Sequence, residues 1–136
     1  EQYTSGTALV RTAKRRAGVG DPAMSPLVEA SGGTRKGIDG PLITRLAQQG
    51  DPGSTELIGE LGTWLGRGMA SISSLLDPDV IVVGGGVADA GDLLLDPARR
   101  AYAVSLTGRA HREPARFVLA GMGNRAGIVG AADLAR

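Results

Sequence analysis

The chain predicts an α/β domain, with helices packed on a sheet, from three observations. Two short runs rich in β-branched or apolar residues, Val80–Val83 and 116–120, suit strands. Longer stretches ahead of and between them repeat apolar residues every three or four positions, the pattern of helices with one buried face. The first run also ends abruptly in Gly84, Gly85 and Gly86, so a strand delivers a turn whose backbone can approach a ligand closely.

A first helix is expected over 5–17, with Thr4 or Ser5 as N-cap and Gly18 at the position favoured for a left-handed residue. Lys14, Arg15 and Arg16 fall in its last turn, where cations meet the negative end of the helix dipole; this structural reading is preferred to phosphate binding. Residues 18–40 carry Gly-Asp-Pro, Ser-Pro, Ser-Gly-Gly and Asp-Gly, and read as a connection with little regular structure. A short helix over 41–49 begins with Pro41 near its first position and stops at Gly50, and Asp51-Pro52 starts the next element.

In that element Leu57, Leu61, Leu65, Met69, Ile72 and Leu76 fall on one core-facing stripe. Gly59, Gly62, Gly66 and Gly68 interrupt it, each costing about 1 kcal/mol relative to alanine, so close contact with another backbone or a ligand must compensate. Pro78 breaks the helical pattern ahead of Val80–Val83, a run suited to a buried strand. Another helix is expected over 93–106, broken near Gly108. The second strand then leads through Gly121-Met-Gly-Asn-Arg-Ala126 into a final helix ending near Arg136.

Composition narrows the function. At 136 residues the chain is one ordinary domain, 1–136, and 15 basic against 14 acidic residues leave no excess to attract nucleic acid or an anionic membrane. Cysteine is absent, which excludes disulfides and Cys-ligated metal within this stretch, and a cytoplasmic home fits best. No apolar run is long enough to span a membrane, and the N-terminus lacks the pattern of a secretory signal. The chain begins with Glu1 and not Met, with its first helix starting within a few residues, and so reads as a piece of something longer. Glycine is abundant, at 22 residues, while aromatics make up 3%, so backbone proximity replaces aromatic bulk.

Familiar catalytic motifs are missing. There is no P-loop, no G-x-S-x-G elbow and no H-E-x-x-H pair. The segment from Gly121 to Ala126 matches G-x-G-x-x-A, but a dinucleotide site asks for a following strand and an acid about 20 residues on. The preferred reading is that Ala126, Gly127, Gly130 and Ala131 let a helix lie close on a sheet. His111, among Arg109, Arg112 and Glu113, has no second ligand or nucleophile nearby and reads as solvated. Glu56, Glu60 and Asp92 have no obvious partner and read the same way. No catalytic residue and no metal ligand is assigned within the chain.

Asp77-Pro-Asp-Val-Ile-Val-Val-Gly-Gly-Gly-Val87, then Gly91-Asp-Leu-Leu-Leu-Asp-Pro97, then Gly123-Asn-Arg-Ala-Gly-Ile-Val-Gly-Ala-Ala132 together resemble the ROK family of bacterial sugar kinases and repressors. Gly50-Asp-Pro and Leu65-Gly-Arg-Gly68 fit the same pattern, and the ordered match runs over nearly the whole chain. Within the family the resemblance is nearest to glucokinases, and Glu1-Gln-Tyr-Thr-Ser-Gly6 looks like the continuation of their zinc-binding segment.

That resemblance implies an actin-like ATPase (hexokinase/ribonuclease H-like) fold with helices packed on a mixed sheet, of which this chain is most of the C-terminal lobe. It implies phosphorylation of glucose to glucose 6-phosphate by ATP with Mg2+. The phosphate loop, the catalytic aspartate and the ligands of a structural Zn2+ would all lie upstream of Glu1. Glu1 falls on the family's sugar-binding glutamate, and Gly84, Gly85, Gly86 and Val87 fall on its ATP-contacting turn. Asn124 either contacts nucleotide or caps the last helix, the cap being preferred. The expected partners are glucose or a related hexose, the missing N-terminal lobe and further copies in a homo-oligomer, and the isolated chain is expected to be inactive. Two alternatives stay open: a sugar-responsive repressor of the same family with an upstream DNA-binding domain, and a kinase for mannose, fructose or an N-acetylated sugar. Polyphosphate also stays open as the phosphoryl donor.

Overall fold

The computed structural model describes residues 3–108, 113–122 and 126–135. Six helices and two strands follow one another: α1 Gly6–Gly18, α2 Ser25–Ala30, α3 Gly40–Gln48, α4 Pro52–Leu76, β1 Val80–Val83, α5 Asp92–Ser105, β2 Arg116–Leu119 and α6 Ala126–Leu134. Single 3-10 turns lie at Pro22–Met24, Arg35–Gly37 and Ala88–Ala90.

Side chains that occupy amides no helix can satisfy set the helix starts. Ser5 Oγ accepts from Ala8 N at 3.1 Å, Asp39 Oδ1 from Leu42 N at 2.8 Å and Asp51 Oδ2 from Ser54 N at 2.7 Å. Gly50 turns the chain out of α3 at φ +88°. Asp77, the one described non-glycine residue with positive φ, closes α4 while its amide donates to Ser73 O. The left-handed residue after α1 is Gly20 and not Gly18, because the helix carries on through Gly18 to a cap at Val19. The stretch 18–40 is more regular than its glycines and prolines suggest, since Leu27 and Met24 are fully buried and hold α2 on the core.

The core runs from Leu9 and Ala13 of α1 through Leu27, Ile43, Leu57 and Ile58 to Leu94, Ala98 and Tyr102 of α5 and Phe117 of β2. The expected stripe on α4 holds as far as Met69: Leu57 and Leu61 are buried and Leu65 and Met69 pack half-buried against the core, whereas Ile72 is 42% and Leu76 74% exposed. Its glycines also fall into two kinds. A Cβ on Gly62 or Gly66 would collide with carbonyl oxygens of α5, of Leu94 and Ala98 respectively, so the two helices meet backbone to backbone there. Gly68 has open space around it, and Gly59 meets only Pro97 Cγ at an ordinary 3.9 Å.

β1 and β2 pair in parallel, Ile81 opposite Phe117 and Val83 opposite Leu119, with α5 as the crossover. Among the described residues the sheet is this parallel pair, not the mixed sheet expected. β1 is also half-buried and not buried, because Ile81 and Val83 face the core while Val82 is 64% exposed. α5 is fixed on β2 by an edge contact of Tyr102 with Phe117 (5.1 Å), by Ala115 N donating to the Tyr102 hydroxyl at 3.2 Å, and by Arg99 donating to Phe117 O. At Gly130 and Ala131 the close seat expected for small residues of α6 is not found, since residues 128–135 are exposed and a Cβ on Gly130 would meet nothing within 4 Å; Ala126 and Gly127 lie outside the residues whose burial is described.

Candidate functional site

Beyond β1 the chain leaves the sheet at Gly84, just after Ala120 N donates to Val83 O at 2.8 Å. Gly85 takes φ +89°, where a Cβ is strained, and its carbonyl accepts from Ala88 N, starting the 3-10 turn. The amides of Gly85, Gly86 and Val87 make no hydrogen bond among the described residues. Val87 fastens this turn to the start of α1, its Cγ2 lying 3.5 Å from where a Cβ on Gly6 would stand. Gln48 Nε2 donates to Asp89 O at 2.9 Å and fastens the far side of the turn to the end of α3.

A groove of about 790 Å3 opens where these pieces meet. α1 contributes Thr7, Val10, Arg11 and Lys14 to it, α3 contributes Gly40, Pro41 and Thr44, and the turn contributes Gly86, Val87 and Asp89. α1 and α3 run in opposite directions along its sides. The start of α1 and the end of α3 both meet the glycine turn, while the other end of α1 lies beside Arg35, just ahead of α3. One end of the groove therefore holds free backbone amides and the positive pole of α1. Lys14 stands about 12 Å further along that helix.

Of the residues expected at a site, Gly86 and Val87 line this groove, and Gly84 and Gly85 shape the turn that carries them. Glu1 lies outside the described residues, as do Asn124 and His111. Of the basic cluster expected to serve the fold, Arg15 and Arg16 lie in the last turn of α1 and Lys14 does not. Arg16 serves the fold: its Nε donates to Asp21 at 2.6 Å and its Nη2 to Glu56 at 2.9 Å, tying α1 to the following turn and to α4. Those bonds, to Glu56 first and Asp21 second, raise the Arg16 pKa, while the bond from Arg16 and then the amide of Ala23 lower that of Asp21. Lys14 instead lines the groove. Glu56 and Asp92 are paired, not merely solvated, the latter with Arg99 at 3.1 Å.

Sequence reasoning missed Thr44. A usable signal was there, because it is the one polar residue within the buried set Leu42, Ile43, Thr44 and Ala47 of α3. It also missed a second hollow, of about 480 Å3, on the other side of α1, where Tyr3 stacks on Trp64 with ring centres 4.8 Å apart and Arg67 covers the indole at 5.3 Å. Among the described residues no group of three or more His, Cys, Asp or Glu side chains could hold a metal ion, and no helix is long and apolar enough to cross a membrane.

Fold and groove together define a helix-rich α/β chain whose first strand delivers a glycine turn to an interhelical groove. The chain belongs to the ROK family, whose model matches residues 1–136. It is 47% identical over all 136 residues to a glucokinase of Streptomyces coelicolor, of which it covers 43%. The crystal structure of a ROK family glucokinase from Streptomyces griseus in complex with glucose and AMPPNP superposes with a TM-score of 0.90 at 45% identity, over 98% of this chain and 43% of that one. ROK hexokinase from Thermus thermophilus gives 0.62 at 30% identity, over 97% and 39%. The chain thus spans less than half the length of the relatives it matches.

Proposed function

We propose that this chain is the nucleotide-side portion of a glucokinase, most of the C-terminal lobe of an actin-like ATPase, and that the intact protein transfers the γ-phosphoryl group of ATP to the 6-hydroxyl of glucose. The observation that carries this reading is the groove where the Gly84–Val87 turn meets α1 and α3. Val10, Pro41 and Val87 offer apolar walls to a base and ribose, and the free amides of Gly85, Gly86 and Val87 suit a phosphate or ribose edge. A polyphosphate chain has no apolar part for those walls, which favours ATP as donor. The Streptomyces griseus relative, described with glucose and AMPPNP, supports both ligands for this chain.

Within this reading Glu1 accepts two hydroxyl hydrogen bonds from the sugar. The aspartate that takes the hydroxyl proton, and the Zn2+ ligands, belong to the part of the protein upstream of Glu1. Mg2+, when bound, screens the phosphate charge, and catalysis of this kind rests mainly on positioning and electrostatics.

A coupled assay of the full-length protein with glucose, ATP and Mg2+ tests the proposal. Turnover with ATP and not with polyphosphate, together with a raised KM for glucose in Glu1→Gln, is expected. Sugar binding without phosphorylation of any hexose would overturn the kinase reading in favour of a repressor. The isolated 136-residue chain is expected to show no turnover.

A further inference from the structure

The turn from Gly84 to Ala90 is held by different means on its two sides. Towards α1 the hold is apolar, where Val87 packs against Gly6. Towards α3 it is polar: Gln48 Nε2 donates to Asp89 O at 2.9 Å, joining residues 41 positions apart in the chain. The bonds of Ala88 N to Gly85 O and of Ala90 N to Val87 O stay within the turn. Among the described residues the Gln48 bond is the one side-chain hydrogen bond that reaches the turn from another element.

The two partners of that bond differ in firmness. Gln48 is the last residue of α3, a helix capped by Asp39 and seated on the core through Leu42, Ile43 and Ala47. Gly85 and Gly86 have no side chain to anchor them, and a Cβ on either would meet nothing within 4 Å. The place of the free amides of Gly85, Gly86 and Val87 therefore depends on what grips the flanking residues, Val87 and Asp89. Amides bind a ligand oxygen only within a narrow range of distance, so a drift of the turn by about half an ångström weakens all three together. Gln48 itself does not line the groove.

We infer that Gln48 is a positioning residue for the nucleotide: it touches no ligand, but by holding Asp89 O it keeps the amides of Gly85, Gly86 and Val87 in register with a phosphate or ribose edge. The assignment rests on the nucleotide reading above. Three substitutions with helix propensity close to that of glutamine separate the possibilities. Gln48→Met keeps the length and removes the donor, Gln48→Glu keeps the shape and sets a carboxylate against the Asp89 carbonyl, and Gln48→Lys returns a donor of similar reach.

In the full-length protein, Gln48→Met is expected to raise KM for ATP, and Kd for a fluorescent ATP analogue, about three- to tenfold, with KM for glucose unchanged. Gln48→Glu should raise both further, and Gln48→Lys should recover most of the loss. Because the bond lies at an exposed surface, the melting temperature without nucleotide should stay that of the parent in all three.

Unchanged KM and Kd for the nucleotide in Gln48→Met and Gln48→Glu would overturn the assignment. So would an equal rise in KM for glucose, or a fall in melting temperature that accompanies the loss of nucleotide affinity, since either would make the bond a support of the fold at large. A parent protein that binds the analogue but phosphorylates no sugar would remove the kinase reading alone, and the Kd comparison would still decide the role of Gln48. Failure of the parent to bind any nucleotide would remove both.

Discussion

Gly66 of α4 and Ala98 of α5 approach so closely that a Cβ on the glycine would run into the alanine carbonyl oxygen. Substitution Gly66→Ala must push the helices apart and is expected to destabilise by about 3 kcal/mol. Gly68→Ala, two residues on and facing open space, should stabilise by up to about 1 kcal/mol through helix propensity alone. Thermal unfolding of both variants checks the pair: equal effects would mean that no backbone contact exists at Gly66.

Ser54 sits fully buried in the first turn of α4, and its hydroxyl has no partner among the described residues. Its amide, which Asp51 caps, does not need the side chain. Ser54→Ala is therefore expected to be neutral or to stabilise by about 1 kcal/mol, as read from denaturant midpoints at constant slope. A clear loss of stability would reveal a bond to that hydroxyl.

Asp21 holds Arg16 and the amide of Ala23, and its pKa is lowered from 3.8 by those contacts. A depressed folded-state value means that the unfolded chain binds the proton first as pH falls. The contribution of Asp21 is thus complete above its unfolded pKa of about 4 and fades as pH drops through the lower folded value. Asp21→Asn should flatten the acid limb of a stability profile below about pH 4. An acid limb of undiminished steepness would rule the ion pair out as its source.

Gly85 reaches φ +89°, in a region where side chains are strained, so Gly85→Ala should deform the turn beside the groove. The expected readout is a higher KM for ATP with little change in KM for glucose. Equal changes in both would mean that the turn does not serve the nucleotide separately from the sugar.

Much of this architecture was legible in the chain. The caps Ser5 and Asp51, the stop at Gly50 and the break at Pro78 act locally, and local chemistry is what a sequence displays. The glycine turn was visible for the same reason. What escaped depended on neighbours remote in sequence. Ile72 and Leu76 keep the helical period but stay exposed, and Lys14 resembles Arg16 until Asp21 and Glu56 take Arg16 alone. Thr44 could be seen as a polar interruption of α3, but its place on the groove is a fact of three dimensions.

The parallel pairing of β1 with β2 also makes α5 the segment on which assembly turns. Ile81 cannot find Phe117 until α5 has crossed between them, so closing that long loop costs entropy before any strand contact offsets it. The contact of Gly66 in α4 with Ala98 in α5 closes a loop of nearly the same length, so the helical seam and the strand pair carry a similar entropic cost, and α5, which belongs to both, has to dock on α4 and β2 in one step.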